Sequence, residues 1–375
     1  MSDEVRSVEV YVVDSGSRKR WVFVRVAAAD GVDGWGECYT GAGREAAIAA
    51  LAEELGRALV GLSSGAIRPF TVHVLRDLAG KRNSMELSSA LSGIEQALWD
   101  ITGKRLGQPV HRLLGGAVHD RLRVYANGWS YEQGWDRASI ERVAERARDV
   151  VDRGFTALKL DPFPGTWRSY ISAQEEQSAV ACVAAVREAV GSDVDILVEC
   201  HRRLSPYHAV RVARLLEQYE PYWYEEPVPA NHLPELAEVR RSVPFRIVTG
   251  ETLYDRAAIA DVLEQRAADV LNPDVASCGG ILELTLIGAM AEARLVAMAP
   301  HNYNSTTVAL AATAQAAATM PNFLITEFFV DTLERCEEIA ITAPELVDGH
   351  ILVPSTPGLG AELDVSALSR RSARS

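Results

Sequence analysis

The sequence predicts an α/β chain, a closed parallel barrel of eight strands preceded by an α+β unit. Three features of the chain point to it. Short apolar runs ending in an acid or an imidazole recur from residue 199 onward, at Glu199, Glu225, Glu251, Asp274, His301 and Glu327. The steps between them are 26, 26, 23, 27 and 26 residues, each long enough for one strand and one helix. Surface acids have no reason to keep such a spacing, whereas parallel barrels do, and they gather their chemistry at the C-terminal ends of their strands. The first 120 or so residues lack this rhythm and alternate in the manner of hairpin strands before turning helical.

Taken in order, Val8–Val13 and Trp21–Ala27 read as strands around a Ser-Gly-Ser turn, and Gly34–Cys38 closes an antiparallel meander after Asp30-Gly31. Gly43–Arg57 is Ala-rich and helical, and Met85–Gly107 carries apolar residues at helical spacing up to a Gly stop. Gly115 and Gly116 then separate this unit from a first barrel strand at Arg121–Ala126. A second strand, Ala157–Asp161, precedes a Pro/Gly-rich loop at 162–165 and a helix near Ala173–Val190. Regular alternation of strand and helix follows from Ile196. The tail from Ile351 to Leu368 holds Pro354 and Pro357-Gly358-Leu359-Gly360, so it is expected to run back over the N-terminal unit as irregular structure, ending in frayed Arg/Ser-rich residues.

Composition narrows the function. At 375 residues and 48% hydrophobic content the chain buries an ordinary enzyme core. A formal charge of −13 disfavours nucleic acid and anionic membranes as partners, and converging carboxylates around a metal would account for part of it. No signal-like N-terminus and no 18-residue apolar span occur, so a cytoplasmic protein is expected. Five cysteines without CxxC spacing read as reduced core filler. The run Arg18-Lys19-Arg20 is either a solvated turn or a contact for an anionic substrate.

The strand ends carry the chemistry. Side chains two apart on a strand share a face, so Glu199 and His201 are expected to point the same way, as are Lys159 and Asp161. Glu199, Glu225 and Glu251 would repel one another in a barrel mouth unless a divalent cation sat among them. All-oxygen ligation favours magnesium or manganese over zinc. Arg202, Arg203 or Arg246 could neutralise one of the three acids, hardly all of them. Asp274 and His301 end neighbouring strands, so the carboxylate can orient the imidazole as a general base. Glu327 is expected to be a protonated acid donating to an oxyanion, which needs a raised pKa, and Lys159 supplies a cation.

This ordered set, with Glu225-Glu226-Pro227, Gly250-Glu251, Gly34-Trp35-Gly36-Glu37, Ala90-Leu91-Ser92-Gly93-Ile94-Glu95-Gln96-Ala97-Leu98-Trp99-Asp100 and Leu114-Gly115-Gly116, resembles the mandelate-racemase-like branch of the enolase superfamily. That superfamily is known for Lys or His bases and a magnesium-stabilised enediolate. The resemblance implies a modified TIM barrel, (β/α)7β, at residues 121–339, under a capping domain of residues 1–120 completed by 340–375. It also implies one Mg2+ per subunit, with Mn2+ an alternative, held by Glu199, Glu225 and Glu251, and Asp274/His301 as base.

Within the branch, Glu199-Cys200-His201-Arg202-Arg203 is similar to the Asp-x-His-x-Arg strand end of galactonate/gluconate-type sugar-acid dehydratases, with Glu in place of Asp. Lys159-Leu160-Asp161 lacks the second Lys that serves racemases as a base, and Asp161 is expected to bind a hydroxyl or tether Lys159. The expected activity is dehydration of a sugar acid to a 2-keto-3-deoxy acid. His301 would take the α-proton, Lys159 and Glu327 would stabilise the enediolate, and His201 would protonate the leaving hydroxide. A racemase or epimerase of a hydroxy acid is the same-chemistry alternative, and a non-catalytic sugar-acid-binding barrel the alternative from another class. Candidate substrate contacts are Asp161, Arg20 and position 303, which is Tyr303 between Asn302 and Asn304. The loops Asp14–Arg20 and Thr40–Arg44 are expected to read the substrate. The partners expected are a small sugar acid and further copies of the chain, with no nucleic acid and no membrane.

Overall fold

Alternation in the N-terminal segment produces three antiparallel strands in the order β1 (Val5–Asp14), β2 (Arg20–Ala28) and β3 (Asp33–Cys38). The computed structural model describes residues 2–78, 84–132, 136–163 and 170–372. Positions 164–165 of the expected Pro/Gly-rich loop and the last three residues of the tail lie outside them. The two faces of β2 go to different cores, as a period of two demands. Trp21 and Phe23 pack into the core that contains the barrel strands. Val22, Val24 and Val26 pack against α1 (Glu45–Leu59), α2 (Ile67–His73) and α3 (Met85–Leu106).

Helix α3 begins where the Ser84 side chain accepts a hydrogen bond from Leu87 N and ends on Gly107 at φ 63. Most of its surface is buried, because β3 lies directly on it. A Cβ at Gly36 would stand 1.7 Å from the Gly93 carbonyl oxygen, so these two backbones touch only because Gly36 has no side chain, and a Cβ at Gly93 would in turn stand 2.6 Å from Cys38 Sγ.

After α4 (Val110–Leu113) the barrel follows: β4 (Arg121–Asn127), α5 (Arg137–Asp152), β5 (Ala157–Leu160), α6 (Ala173–Val190), β6 (Asp195–Glu199), α7 (Pro206–Leu216), β7 (Trp223–Glu225), α8 (Leu233–Ser242), β8 (Arg246–Thr249), α9 (Arg256–Gln265), β9 (Val270–Leu271), α10 (Ile281–Glu292), β10 (Ala297–Met298), α11 (Val308–Ala317) and β11 (Thr326–Phe329). All neighbouring pairs among these strands are parallel. β11 pairs with β4, and Phe323 just ahead of β11 bridges Met298 of β10, so the sheet returns on itself. Eight strands and seven intervening helices are the (β/α)7β order. Helix α11 is buried along its whole length because β3 and α4 cover the side that would otherwise meet solvent.

The tail is more regular than expected. After α12 (Leu333–Ile339), β12 (Ala340–Thr342) pairs with β15 (Glu362–Leu363), and the hairpin β13 (Leu346–Val347) and β14 (His350–Leu352) adds antiparallel to β4. Helix α13 (Val365–Arg371) packs on β1. These strands span only two or three residues, too short for any periodicity to betray them.

Candidate active site

Inside the barrel, Tyr125, Ala157, Leu197, Trp223, Val248, Val270, Ala299 and Ile325 form one buried layer, one residue from each strand or its immediate flank. Two residues further along, alternation brings the next inward layer: Asn127, Lys159, Glu199, Glu225, Asn272, His301 and Glu327. On β8 the count slips by one. Gly250 adopts φ 144, where a Cβ would lie 3.0 Å from Asn272 N, and this turn carries Glu251 inward instead.

One carboxylate oxygen from each of Glu199, Glu225 and Glu251 lies within 4.8 Å of the others, and all three residues are buried. Burial and then mutual repulsion push Glu225 well above the usual carboxylate range; burial, with Glu251 adding to it, raises Glu199 to about 7. Burial also opposes the charge of Glu251, but Arg202 and His301 outweigh it and hold that acid low. Glu225 is fixed by Lys159 Nζ at 3.0 Å, Asn272 Nδ2 at 2.9 Å and Trp223 Nε1 at 3.0 Å. Glu199 Oε2 is buried and receives no hydrogen bond from the described residues. Two crowded acids and a buried oxygen with only the Lys159 ammonium 3.6 Å away are what a divalent cation would satisfy, and the all-oxygen donor set suits a hard one. Among the three arginines considered above, only Arg202 engages the triad, through Glu251; Arg203 pairs with Asp161, and Arg246 donates to the Tyr222 carbonyl.

Asp274 and His301 form a parallel bridge, and His301 Nδ1 lies 2.8 Å from Asp274 Oδ2. The other nitrogen, Nε2, stands 3.2 Å from Glu251 Oε2 and 3.3 Å from Glu327 Oε2. Burial works against an imidazolium here, yet Glu327, Glu251 and Asp274 together raise His301 to about 9.

Three expectations are corrected. Glu327 lies within β11 and is ionised: burial would raise its pKa, but Lys159 at 2.9 Å, His301 and donors from Asn302 N and Asn127 bring it to about 2. It therefore acts as an acceptor that anchors Lys159 and His301. Asp161 does not tether Lys159, whose ammonium is held by Glu225 and Glu327. Its Oδ2 lies 2.7 Å from His201 Nδ1 and also takes Arg203, and these two partners hold Asp161 below the usual range despite burial. Finally, His201 is not on the strand. β6 stops at Glu199, and His201 and Arg202 sit at φ 45 and 63, a conformation costing non-glycine residues about 1 kcal/mol each. Arg202 N bonds the Glu226 carbonyl and His201 N bonds Glu199 Oε1 at 2.6 Å, which holds the turn. The imidazole stands beside Glu199 and is 40% exposed.

Arg20 is exposed, with its backbone N on Glu45, while its neighbour Lys19 is buried above the Tyr303 ring. Asn127, Asn272 and Trp223 are site residues that sequence reasoning missed. Two acids of the N-terminal unit also shape the site from behind. Glu37 accepts from Ser305 N, Ser305 Oγ and Ala309 N at the start of α11, and Glu95 accepts from Ile281 N and Leu282 N at the start of α10. They cap the helices that follow Asp274 and His301.

An acidic triad, a buried lysine and a carboxylate-held imidazole at the C-terminal ends of a (β/α)7β barrel define an enolase-type, metal-dependent barrel. The chain belongs to the mandelate racemase/muconate lactonizing enzyme family. The family's N-terminal domain model (Mandelate racemase / muconate lactonizing enzyme, N-terminal domain) matches residues 4–115, and the model described as Enolase C-terminal domain-like matches residues 142–367. The chain is 33% identical over 372 residues to a D-gluconate dehydratase of Thermoproteus tenax, covering 98% of this chain and 73% of that protein. It is 35% identical over 361 residues to a D-galactonate dehydratase of Variovorax paradoxus (strain S110), covering 92% and 89%. A solved mandelate racemase/muconate lactonizing enzyme-like protein from Rubrobacter xylanophilus DSM 9941 superposes with a TM-score of 0.92 at 35% identity, covering 100% and 98%. Among the described residues no helix is long and apolar enough to cross a membrane.

Proposed function

We propose that this protein is a magnesium-dependent sugar-acid dehydratase that converts an aldonic or related acid to a 2-keto-3-deoxy acid. The observation that carries the reading is a pair of imidazoles, each backed by its own carboxylate. Asp274–His301 follows β9 and β10, and Asp161–His201 follows β5 and β6. Since β6 and β10 are four strands apart in an eight-stranded ring, the two pairs stand on opposite sides of the mouth. Elimination of water needs that arrangement: one group to take the α-proton and another to protonate the leaving hydroxide.

Glu199, Glu225 and Glu251 would hold the cation. When bound, it neutralises the substrate carboxylate and offsets the Glu251 charge that keeps His301 protonated. His301 Nε2 removes the α-proton, while Asp274 fixes Nδ1 and so the ring's orientation. Lys159 offers its ammonium to the enediolate oxygen and is kept charged by Glu327 and Glu225. His201 delivers a proton to the β-hydroxyl as the C–O bond breaks, with Asp161 holding the ring. Water leaves, and the enol tautomerises to the keto acid. The position where racemases carry a second lysine base is occupied by Asp161, already engaged with His201 and Arg203, which speaks against racemisation. The names of the relatives described above support the same reaction. We also propose a cytoplasmic homo-oligomer.

The test is a panel of aldonates and aldarates incubated with the magnesium-loaded protein in deuterated water. Keto-acid formation with at least one member is expected. Inverted acid without keto product from every reactive member would sink the dehydratase reading in favour of an epimerase.

A further inference from the structure

Lys19 closes the β1–β2 turn, and the turn is built to aim it. Ser15 Oγ donates to the Lys19 carbonyl at 2.5 Å, Gly16 N donates to Asp14 Oδ1 at 2.8 Å, and Thr40 Oγ1 donates to the Arg20 carbonyl at 2.7 Å. Arg18 and Arg20 on either side remain exposed, whereas Lys19 is 4% exposed. Its Nζ stands 3.8 Å from the centroid of the Tyr303 ring, two residues beyond His301, and the His301 and Tyr303 rings are 6.4 Å apart. Among the described residues Nζ has no hydrogen-bond partner.

A buried ammonium offers three donors and costs folding energy unless acceptors meet it. Of the four carboxylates within electrostatic reach, Glu37, Asp274 and Glu327 are engaged elsewhere, with Ser305 and Ala309, with His301 and Ala276, and with Lys159, Asn127 and Asn302, while Asp331 attracts Nζ without hydrogen-bonding it. The Tyr303 ring gives a cation–π contact that leaves the N–H donors unused. The same turn lines an open cavity of 530 Å³ in which Arg18, Lys19, Arg20 and Arg371 outnumber the two acids Asp14 and Glu45, a local excess of positive charge on a chain of net charge −13. Such a patch favours the approach of an anion.

We propose that Lys19 anchors the end of the substrate remote from the metal, and that this end is a carboxylate, so that the preferred substrates are sugar diacids. The inference rests on the dehydratase reading and deepens it. In that reading one carboxylate lies at the Glu199, Glu225 and Glu251 triad, the α-carbon faces His301, and the rest of the chain extends toward the N-terminal unit, where Lys19 waits. A terminal hydroxyl would give the ammonium an acceptor that carries no opposite charge. A carboxylate supplies both oxygens and the opposite charge, in a site where charge-assisted hydrogen bonds are the strong ones.

Matched pairs decide it: D-gluconate with D-glucarate, D-galactonate with galactarate, and D-xylonate with xylarate, each titrated by calorimetry into the magnesium-loaded protein and each assayed for keto acid. The wild type should bind at least one diacid about 10-fold or more tightly than its monoacid. Lys19→Met should weaken that diacid by about 30-fold or more, as expected when one partner of a buried charge pair is removed, and should weaken the monoacid, which loses only a neutral hydrogen bond, several-fold less. Lys19→Arg should recover part of the loss. Because Met replaces an unpaired buried charge with a side chain of similar length, its melting temperature should equal or exceed that of the wild type, so folding does not confuse the result. Equal binding of both members of every pair by the wild type, or equal weakening of both in Lys19→Met, overturns the proposal. Keto acid from monoacids with no diacid preference overturns the Lys19 assignment and leaves the dehydratase reading standing. A Lys19-dependent diacid preference without keto acid from any pair supports the subsite and removes the dehydratase reading.

Discussion

Asp161 Oδ2 lies 2.7 Å from His201 Nδ1, and so repeats, four strands around the barrel, the 2.8 Å contact of Asp274 with His301. The first pair comes from the ends of β5 and β6, the second from the ends of β9 and β10. The local constraint differs. His301 is buried and hemmed in by three carboxylates, whereas His201 is partly exposed on a left-handed turn, where a leaving group and solvent can both reach it.

Asp161→Asn should therefore damage elimination selectively. The amide removes the negative charge beside the imidazole and can turn its N–H2 toward the ring, so keto-acid formation should fall roughly 10²-fold, within the range of a positioned general acid. Exchange of the α-proton, followed by NMR in deuterated water, should fall far less. If Asp161 only binds a substrate hydroxyl, KM will rise and the two rates will fall together.

Glu225→Gln should lose metal affinity and activity together, because a neutral amide replaces the most crowded carboxylate of the triad. Calorimetric titration with magnesium reads the first and keto-acid assay the second. Chelation of the wild type should abolish activity reversibly and lower the melting temperature, since an ion at about 100 times its Kd stabilises the fold by about 2.7 kcal/mol. A variant that keeps wild-type magnesium binding removes Glu225 from the metal site.

Asp274→Asn should leave the protein folded and still able to bind acids, while α-proton exchange drops by about 10⁴-fold, the size of effect seen when a His loses its orienting carboxylate. Exchange at the wild-type rate would show that another group takes the proton, with Lys159 the next candidate.

The N-terminal unit is tied to the barrel by buried acids. Glu95→Gln keeps one oxygen but puts an amide N–H2 against either the Ile281 N–H or the Leu282 and Trp99 N–H groups, so it should cost about 1–3 kcal/mol of stability through an unsatisfied buried donor. A lower urea midpoint with an unchanged slope is the expected readout. An unchanged midpoint would mean that the start of α10 finds another partner.

Much of this site was legible in the sequence because the barrel's own spacing carries it. Glu199, Glu225, Glu251, Asp274, His301 and Glu327 stand at or near strand ends in steps of 26, 26, 23, 27 and 26 residues, a distance set by strand plus helix. What stayed hidden depended on side chains meeting across elements. Asp161 finds His201 rather than Lys159 because β6 ends at Glu199 and the chain then turns left-handed, a conformation that His and Arg do not announce. The ionisation of Glu327 follows from Lys159 and His301 both landing on it. Lys19 rather than Arg20 turns inward because of the register of a tight turn. Asn127 and Asn272 were within reach of simple alternation once Tyr125 and Val270 were known to face the barrel interior. The short strands of the tail exist only by pairing, β14 with β4 and β12 with β15, and no local pattern predicts them.

The central claim is that two histidines divide the reaction, and His201→Asn incubated with a reactive sugar acid in deuterated water tests it most directly. With His301, Asp274 and the acidic triad intact, the variant should exchange the α-proton for deuterium with retention of configuration, while keto-acid formation falls by about 10²–10⁴-fold. Keto acid formed at the wild-type rate, or loss of exchange in step with loss of product, would contradict it.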